Sequence, residues 1–333
     1  MQTFYNSSTG FGPLKSYMKS YLQFRRNRGY MDTNPISSTL RSLDDFLQEK
    51  GIKQVQEISK QIVLEWFGRQ QNHQPQGRRQ RLSNINNFFK YLQRVGVIKG
   101  NPACGIIIKG SKYQPYIYNL KEICDILSEA KKITENPKTL YQGRLYYTLI
   151  YLIYALALRL SEALNIRLKD IDFNQKTIFI YKGKFGKERL LPFSKNTEVK
   201  LKKFIKLRLK IYPPKNNEEP LFCNKYHKSY SKSTVESKFR KFTIACGLVN
   251  LSKNPPRIHD LRHSAATHIL YKWYSERKDI LNRLPLLSRY LGHVDISSTQ
   301  IYLTISNTLL KKASKYFEEK FAPVSKLSKK LPV

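Results

Sequence analysis

Residues 147–164 read YTLIYLIYALALRLSEAL, an apolar run from Tyr147 to Leu158 that passes into a short phrase carrying Arg159 and Glu162. The run is apolar on every side, yet it falls short of the roughly 20 residues that a bilayer span needs. It therefore predicts a helix over 141–158 buried inside a globular unit. Downstream, Thr177–Tyr181 (TIFIY) and Arg189–Pro192 (RLLP) set β-branched and large apolar residues on either side of a Gly183-to-Gly186 turn, which predicts a hairpin. A helix near Asn119–Lys131 precedes the run, and helical patterns return from Lys195 to Tyr212 and from Ser231 to the C-terminus. The fold class expected is mainly α with a small antiparallel β-sheet, α+β.

Upstream, residues 13–96 read as a series of helices. Ile36, Leu40, Leu43 and Leu47 recur at helical spacing, as do Ile85, Phe88, Phe89 and Leu92. The polar stretch Gln70–Gln80 carries turn residues and separates two such segments. Gly100-Asn101-Pro102, Gly105, Gly110-Ser111 and Pro115 break the pattern again and mark a linker. The division expected is a helical domain over 1–105, a linker over 106–116, a second domain over 117–320 and a basic tail over 321–333 containing Lys326, Lys329 and Lys330.

Sixty Lys and Arg against 24 Asp and Glu give a net charge of +36, far more than solubility requires. Such an excess points to a polyanionic partner, DNA or RNA; Lys-rich codon usage is the bland alternative. The excess is spread along the chain, with 17 Lys and Arg against 6 Asp and Glu through residue 110. Cys104, Cys124, Cys223 and Cys246 form no C-x-x-C pair, which argues against a structural zinc site and a secreted disulfide scaffold. The polar start, MQTFYNSSTGFGP, has no signal-peptide pattern. A cytoplasmic, nucleoid-associated protein with no membrane contact is expected.

Each candidate for chemistry has an ordinary explanation when taken singly. Arg159 could neutralise a helix C-terminus or pair with Glu162 three residues on. Lys184, at a hairpin tip, is a solvated lysine by default. His259 and Arg262 are three apart and share a helix face, where an imidazole and a guanidinium can converge on one anion. His293 follows Gly292, a helix-ending residue, and could merely cap. Tyr302 is one of 22 tyrosines.

Taken together, in the order RLSEAL (159–164), GKFGKERLLP (183–192), H-x-x-R-H (259–263), LGH ending at His293 and then Tyr302, the set resembles the signature of the tyrosine recombinase (phage integrase) family. The resemblance spans about 117–320. It extends weakly upstream through Gly96, Ile98, Asn101, Pro102 and Ala103, which look like the end of the family's core-binding domain. It implies a two-domain C-shaped DNA clamp, with a helical (SAM-like) core-binding domain followed by a catalytic domain. It also implies roles. Arg159 and Arg262 grip the scissile phosphate, and Lys184 protonates the leaving 5′ oxygen. His259 and His293 assist proton movement and hold the phosphate, while Glu162 supports the first arginine. Tyr302 is the nucleophile that forms a 3′-phosphotyrosine bond. The chemistry is self-consistent: guanidiniums stay charged and fix phosphate oxygens, a phenol of pKa about 10 needs a proton acceptor, and a covalent intermediate preserves the bond energy for resealing. No P-loop or magnesium-type carboxylate cluster is present in the sequence, and no cofactor is expected.

Lys182, two residues before Lys184, points to the same face of the hairpin and is the alternative leaving-group acid. The long phrase from Leu270 to Leu287 is similar to versions in transposon-associated recombinases, which implies integration, excision or transposition of a mobile element. The partners implied are double-stranded DNA, further copies of the chain (a tetramer in the synapse, joined through a C-terminal segment with Leu309, Leu310 and Phe317) and accessory directionality factors. Rival readings are a type IB topoisomerase-like enzyme and a non-catalytic DNA-binding protein on the same fold. An RNA-binding module is disfavoured by the lack of an aromatic RNP pattern.

Overall fold

The computed structural model describes residues 12–30, 34–70, 75–108, 114–134, 141–181, 183, 188–251, 255–293, 299 and 302. The chain divides into two compact units, Met1–Tyr113 and Gln114–Val333.

The first unit is helical. It contains α1 (Lys15–Asn27), α2 (Asn34–Glu49), α3 (Lys60–Gly68) and α4 (Pro75–Arg94), with a 3-10 turn at Val55–Glu57. The apolar stripes read from the sequence meet in one core, where Leu40, Leu43, Leu47, Ile85, Phe88 and Phe89 are all buried. Two polar pins fix it: the Leu14 amide donates to Asp44 Oδ1 at 2.8 Å and Trp66 Nε1 donates to the Ser42 carbonyl at 3.0 Å. The polar stretch 70–80 is not all connection. Pro75 opens α4, because a proline's fixed φ suits a first helical turn in which its missing N–H costs nothing.

The second unit is built around α6 (Gln142–Ala155), which packs against α5 (Leu120–Lys131), α8 (Lys195–Ile211) and α10 (Ile258–Ser275). Leu145, Leu149, Ile150, Leu152 and Ile153 are fully buried, as a helix apolar all round requires. The helix stops at Ala155, three residues before the expected end. Leu156 caps it and Ala157 turns left-handed (φ 49°), with Leu158 N donating back to the Ile153 carbonyl. Arg159 then caps the next helix, α7 (Leu160–Leu164).

Among the described residues the sheet has three antiparallel strands in the order β1 (Ile171–Asp172), β2 (Thr177–Ile180), β3 (Arg189–Pro192). Two form the expected hairpin. The third, β1, escaped the sequence reading because two residues hold no periodicity; a turn in which Asp172 Oδ1 accepts from the Asn174 and Gln175 amides joins it to β2. Ile178, Ile180 and Leu191 face the core. Arg189 pairs with Ile180, so it too is on the inward face. After α9 (Lys232–Ala245), the helices α10 and α11 (Ile280–Leu291) pack together through Ala265, Ala266, Leu270, Leu284, Leu287 and Leu291. No described helix is long and apolar enough to cross a membrane. The C-terminal segment with Leu309, Leu310 and Phe317, and the basic tail, lie outside the described residues.

Candidate active site

Arg262 stands in the apolar stripe of α10 made by Ile258, Leu261, Ala265 and Ala266, and it is 1% exposed. A cation there must be paired, because leaving water unpaired costs several kcal/mol. Its two terminal nitrogens donate to the carbonyls of Ala157 (2.8 Å) and Leu291, and Nη1 lies 3.6 Å from Glu162 Oε2. Burial and the neighbouring Arg159 lower its pKa to about 10, so it remains charged at neutral pH.

Glu162 is the hub. It is 4% exposed, and its carboxylate accepts from Arg159 Nη1 at 2.6 Å, from the Arg159 amide at 3.0 Å, and from both terminal nitrogens of Arg189 at 3.1 and 3.0 Å. Burial pulls its pKa up, but the guanidiniums and the amide outweigh that and hold it at about 2. Arg159 also donates to the Gly292 carbonyl (3.0 Å), and Arg189 Nε donates to the Tyr290 carbonyl (2.9 Å). Among the described residues, three guanidiniums around one carboxylate leave two surplus positive charges in this cluster.

Backbone carbonyls do much of the positioning. α6 and α11 both end in a left-handed turn, at Ala157 and at Gly292 (φ 64°), and these turns aim the freed carbonyls at the arginines. Gly292 is required on two counts. Its φ favours glycine, and a Cβ there would lie 2.8 Å from Arg189 Nη1.

Tyr302 lies against the same helices, 1% exposed, in the cluster formed by Ala157, Ala265, Ala266 and Leu291. Its hydroxyl is 3.0 Å from His263 Nδ1. The His293 ring lies nearly parallel to the phenol, with centroids 6.2 Å apart, and His293 Nδ1 contacts Thr299 Oγ1 at 2.8 Å. His259 packs edge-on against His263 with centroids 4.9 Å apart. Burial first, then the surrounding cations, lowers each of these three histidines to about 4, so the rings are neutral at pH 7. Burial raises the Tyr302 pKa, with the charge of Arg262 pulling the other way. Such a cluster can bind a phosphodiester, stabilise extra negative charge on it and deliver a hydroxyl nucleophile.

Of the residues singled out in the sequence, Arg159, Glu162, Arg262, His259, His293 and Tyr302 are thus gathered around one centre. Lys184 and the alternative Lys182 lie outside the described residues. Two members were missed. Arg189 was visible as a charge at the inward position of a strand whose next inward residue is Leu191. His263 was visible as the residue four beyond His259, on the same helix face.

Residues 126–308 match the model of the phage integrase family. The chain is 30% identical over 310 residues to a Sinorhizobium fredii protein named as an integrase/recombinase, y4rB, covering 91% of this chain and 96% of that one. It is 29% identical over 300 residues to the tyrosine recombinase XerC of Oceanobacillus iheyensis, covering 88% and 92%. Among solved structures, the XerH site-specific recombinase bound to a palindromic difH substrate superposes with a TM-score of 0.65 at 22% identity, over 86% of this chain and 79% of that one.

Proposed function

The chain belongs to the phage integrase family of tyrosine recombinases, site-specific DNA recombinases, and we propose that it breaks and rejoins duplex DNA through a 3′-phosphotyrosine bond to Tyr302. The observation that carries this reading is the buried Tyr302 hydroxyl beside a cluster with two surplus positive charges. A phosphodiester brings one negative charge, and its pentacoordinate transition state carries two. A centre of matching charge, fixed before the substrate arrives, favours the transition state over the ground state.

In this reading Arg159 and Arg262 hold the non-bridging oxygens, each with guanidinium N–H groups beyond those bonded to carbonyls and Glu162. His293 lines the phosphate, with its ring orientation set by Thr299. The histidine pair on α10 handles the proton of Tyr302, and Lys184 protonates the leaving 5′ oxygen. Glu162 keeps three like charges together. The substrate is double-stranded DNA, the assembly is a tetramer joined through the C-terminal segment, and the task is integration, excision or transposition of a mobile element. The net charge of +36 supports DNA as the substrate, and the similarity to a protein named as an integrase/recombinase supports the task.

The test is a nicked suicide duplex built from DNA flanking the gene, incubated with wild type and with Tyr302→Phe. An SDS-resistant adduct that disappears in the variant is the expected result. An adduct that survives puts the nucleophile elsewhere and ends the proposal.

A further inference from the structure

We propose that His263 is the group that takes the proton from the Tyr302 hydroxyl. This rests on the tyrosine chemistry proposed above and assigns one step of it to one nitrogen. His263 Nδ1 lies 3.0 Å from Tyr302 Oη, within the 2.6–3.2 Å reach that a general base needs. His259 is one helical turn earlier, with its ring set edge-on against the ring of His263.

The direction of the hydrogen bond follows from the neighbours. Arg262 places its positive charge beside Tyr302 and favours the phenolate, which directs the Oη proton toward the imidazole, where Nδ1 can accept it. That requires His263 to be neutral and protonated on Nε2. Its surroundings enforce neutrality. The groups facing it are His259 and Arg262 along α10, Arg257 at the cap of that helix, His293 after α11 and Tyr302 itself. Burial and these cations hold its pKa at about 4 in the free protein. An arriving phosphodiester brings a negative charge that raises the ring's basicity when the acceptor is needed.

The step balances. Tyr302 Oη bonds to the scissile phosphorus as its proton passes to His263 Nδ1. The bond from phosphorus to the 5′ oxygen breaks, and that oxygen keeps the electron pair and takes a proton from the leaving-group acid. On resealing, the 5′ hydroxyl returns its proton to that acid and attacks phosphorus, and His263 reprotonates the departing phenol oxygen.

The experiment measures single-turnover adduct formation on the suicide duplex between pH 6 and 9.5, with DNA binding checked at each pH. Wild type is expected to give a rate independent of pH from about 6.5 upward. His263→Asn keeps a hydrogen-bonding atom but accepts no proton. It should react about 10²–10³-fold more slowly at pH 7, with a rate rising tenfold per pH unit as hydroxide replaces the lost base. A fluorinated, more acidic tyrosine at position 302 should restore much of the rate in that variant. His263→Ala serves if the Asn variant does not fold, and added imidazole should rescue it. A wild-type-like flat profile in His263→Asn, no imidazole rescue in His263→Ala, or the pH slope appearing in His259→Asn instead would overturn the assignment. Adduct formation by Tyr302→Phe would instead overturn the reading beneath it.

Discussion

Replacing Glu162 with Gln removes one charge and little volume from a site where three guanidiniums depend on that charge. Its contacts to Arg159 (2.6 Å), Arg189 (3.0 Å) and Arg262 (3.6 Å) all lie in a region where the carboxylate is 4% exposed. Breaking a buried ion pair by removing one partner costs about 3–5 kcal/mol, because the other charge is left uncompensated. For a unit of this size each kcal/mol lowers Tm by about 2–4 °C, so a fall of about 6–20 °C is expected. The chain has two tryptophans, Trp66 in the first unit and Trp273 on α10, so a Trp66→Phe background makes fluorescence report the second unit alone. Inorganic phosphate should recover more stability in the variant than in wild type, since a third surplus positive charge awaits it. A loss below about 1 kcal/mol, or equal stabilisation of both proteins by phosphate, would refute the account of Glu162 as the charge that holds the arginines together.

Gly292→Ala should cost about 2–4 kcal/mol and slow adduct formation, by adding left-handed strain and pushing Arg189 off Glu162; a melting curve that does not move would contradict the geometry. Ala157→Gly, at the matching turn of α6, should be neutral or stabilise by up to about 1 kcal/mol, and chemical denaturation measures the difference. Since His259, His263 and His293 sit at about 4 against an ordinary 6.5, the unfolded chain binds more protons between these values. Stability should therefore be complete above pH 6.5 and fall by several kcal/mol as pH drops toward 4, with Glu162 contributing a further loss from about 4.5 toward 2; proton uptake on unfolding at pH 5 checks the sign. Duplex affinity should fall about 10³-fold or more between 50 and 200 mM salt if six or more phosphates are neutralised, and a flat response would argue against backbone binding.

The parts of this centre that were legible in the sequence are those whose chemistry is carried by a side chain in a local phrase. Arg159 with Glu162, His259 with Arg262, and Gly292 before His293 all lie within four residues of a partner, so spacing alone suggested a shared face or a turn. The α6 core was equally plain, because a helix apolar on all sides has only one place to go. What could not be read locally was the pairing across the chain. The grip of Arg189 on Glu162 depends on which face of a short strand looks inward, and that is decided by the register of β2 against β3. The contact of His263 with Tyr302 links residues 39 apart, through the way α10 and α11 pack. The strand β1 is too short for any pattern to announce it, and its pairing with β2 is its only signature.

The carbonyls of Ala157, Tyr290, Leu291 and Gly292 accept from the arginines through main-chain atoms that every residue possesses. Mutation at Tyr290 or Leu291 changes what fills the neighbouring core but not what the guanidiniums are offered, provided the two helix-ending turns keep their shape. Tolerance to drift is thus built in at these two positions, and intolerance is concentrated at the turns of Ala157 and Gly292 and at Glu162. A library of apolar residues across 290 and 291 should keep far more functional members than one of equal size at 162 and 292. The grip on phosphate would then be inherited chiefly as a backbone shape, one that diverging descendants can keep while the residues drawing it are replaced.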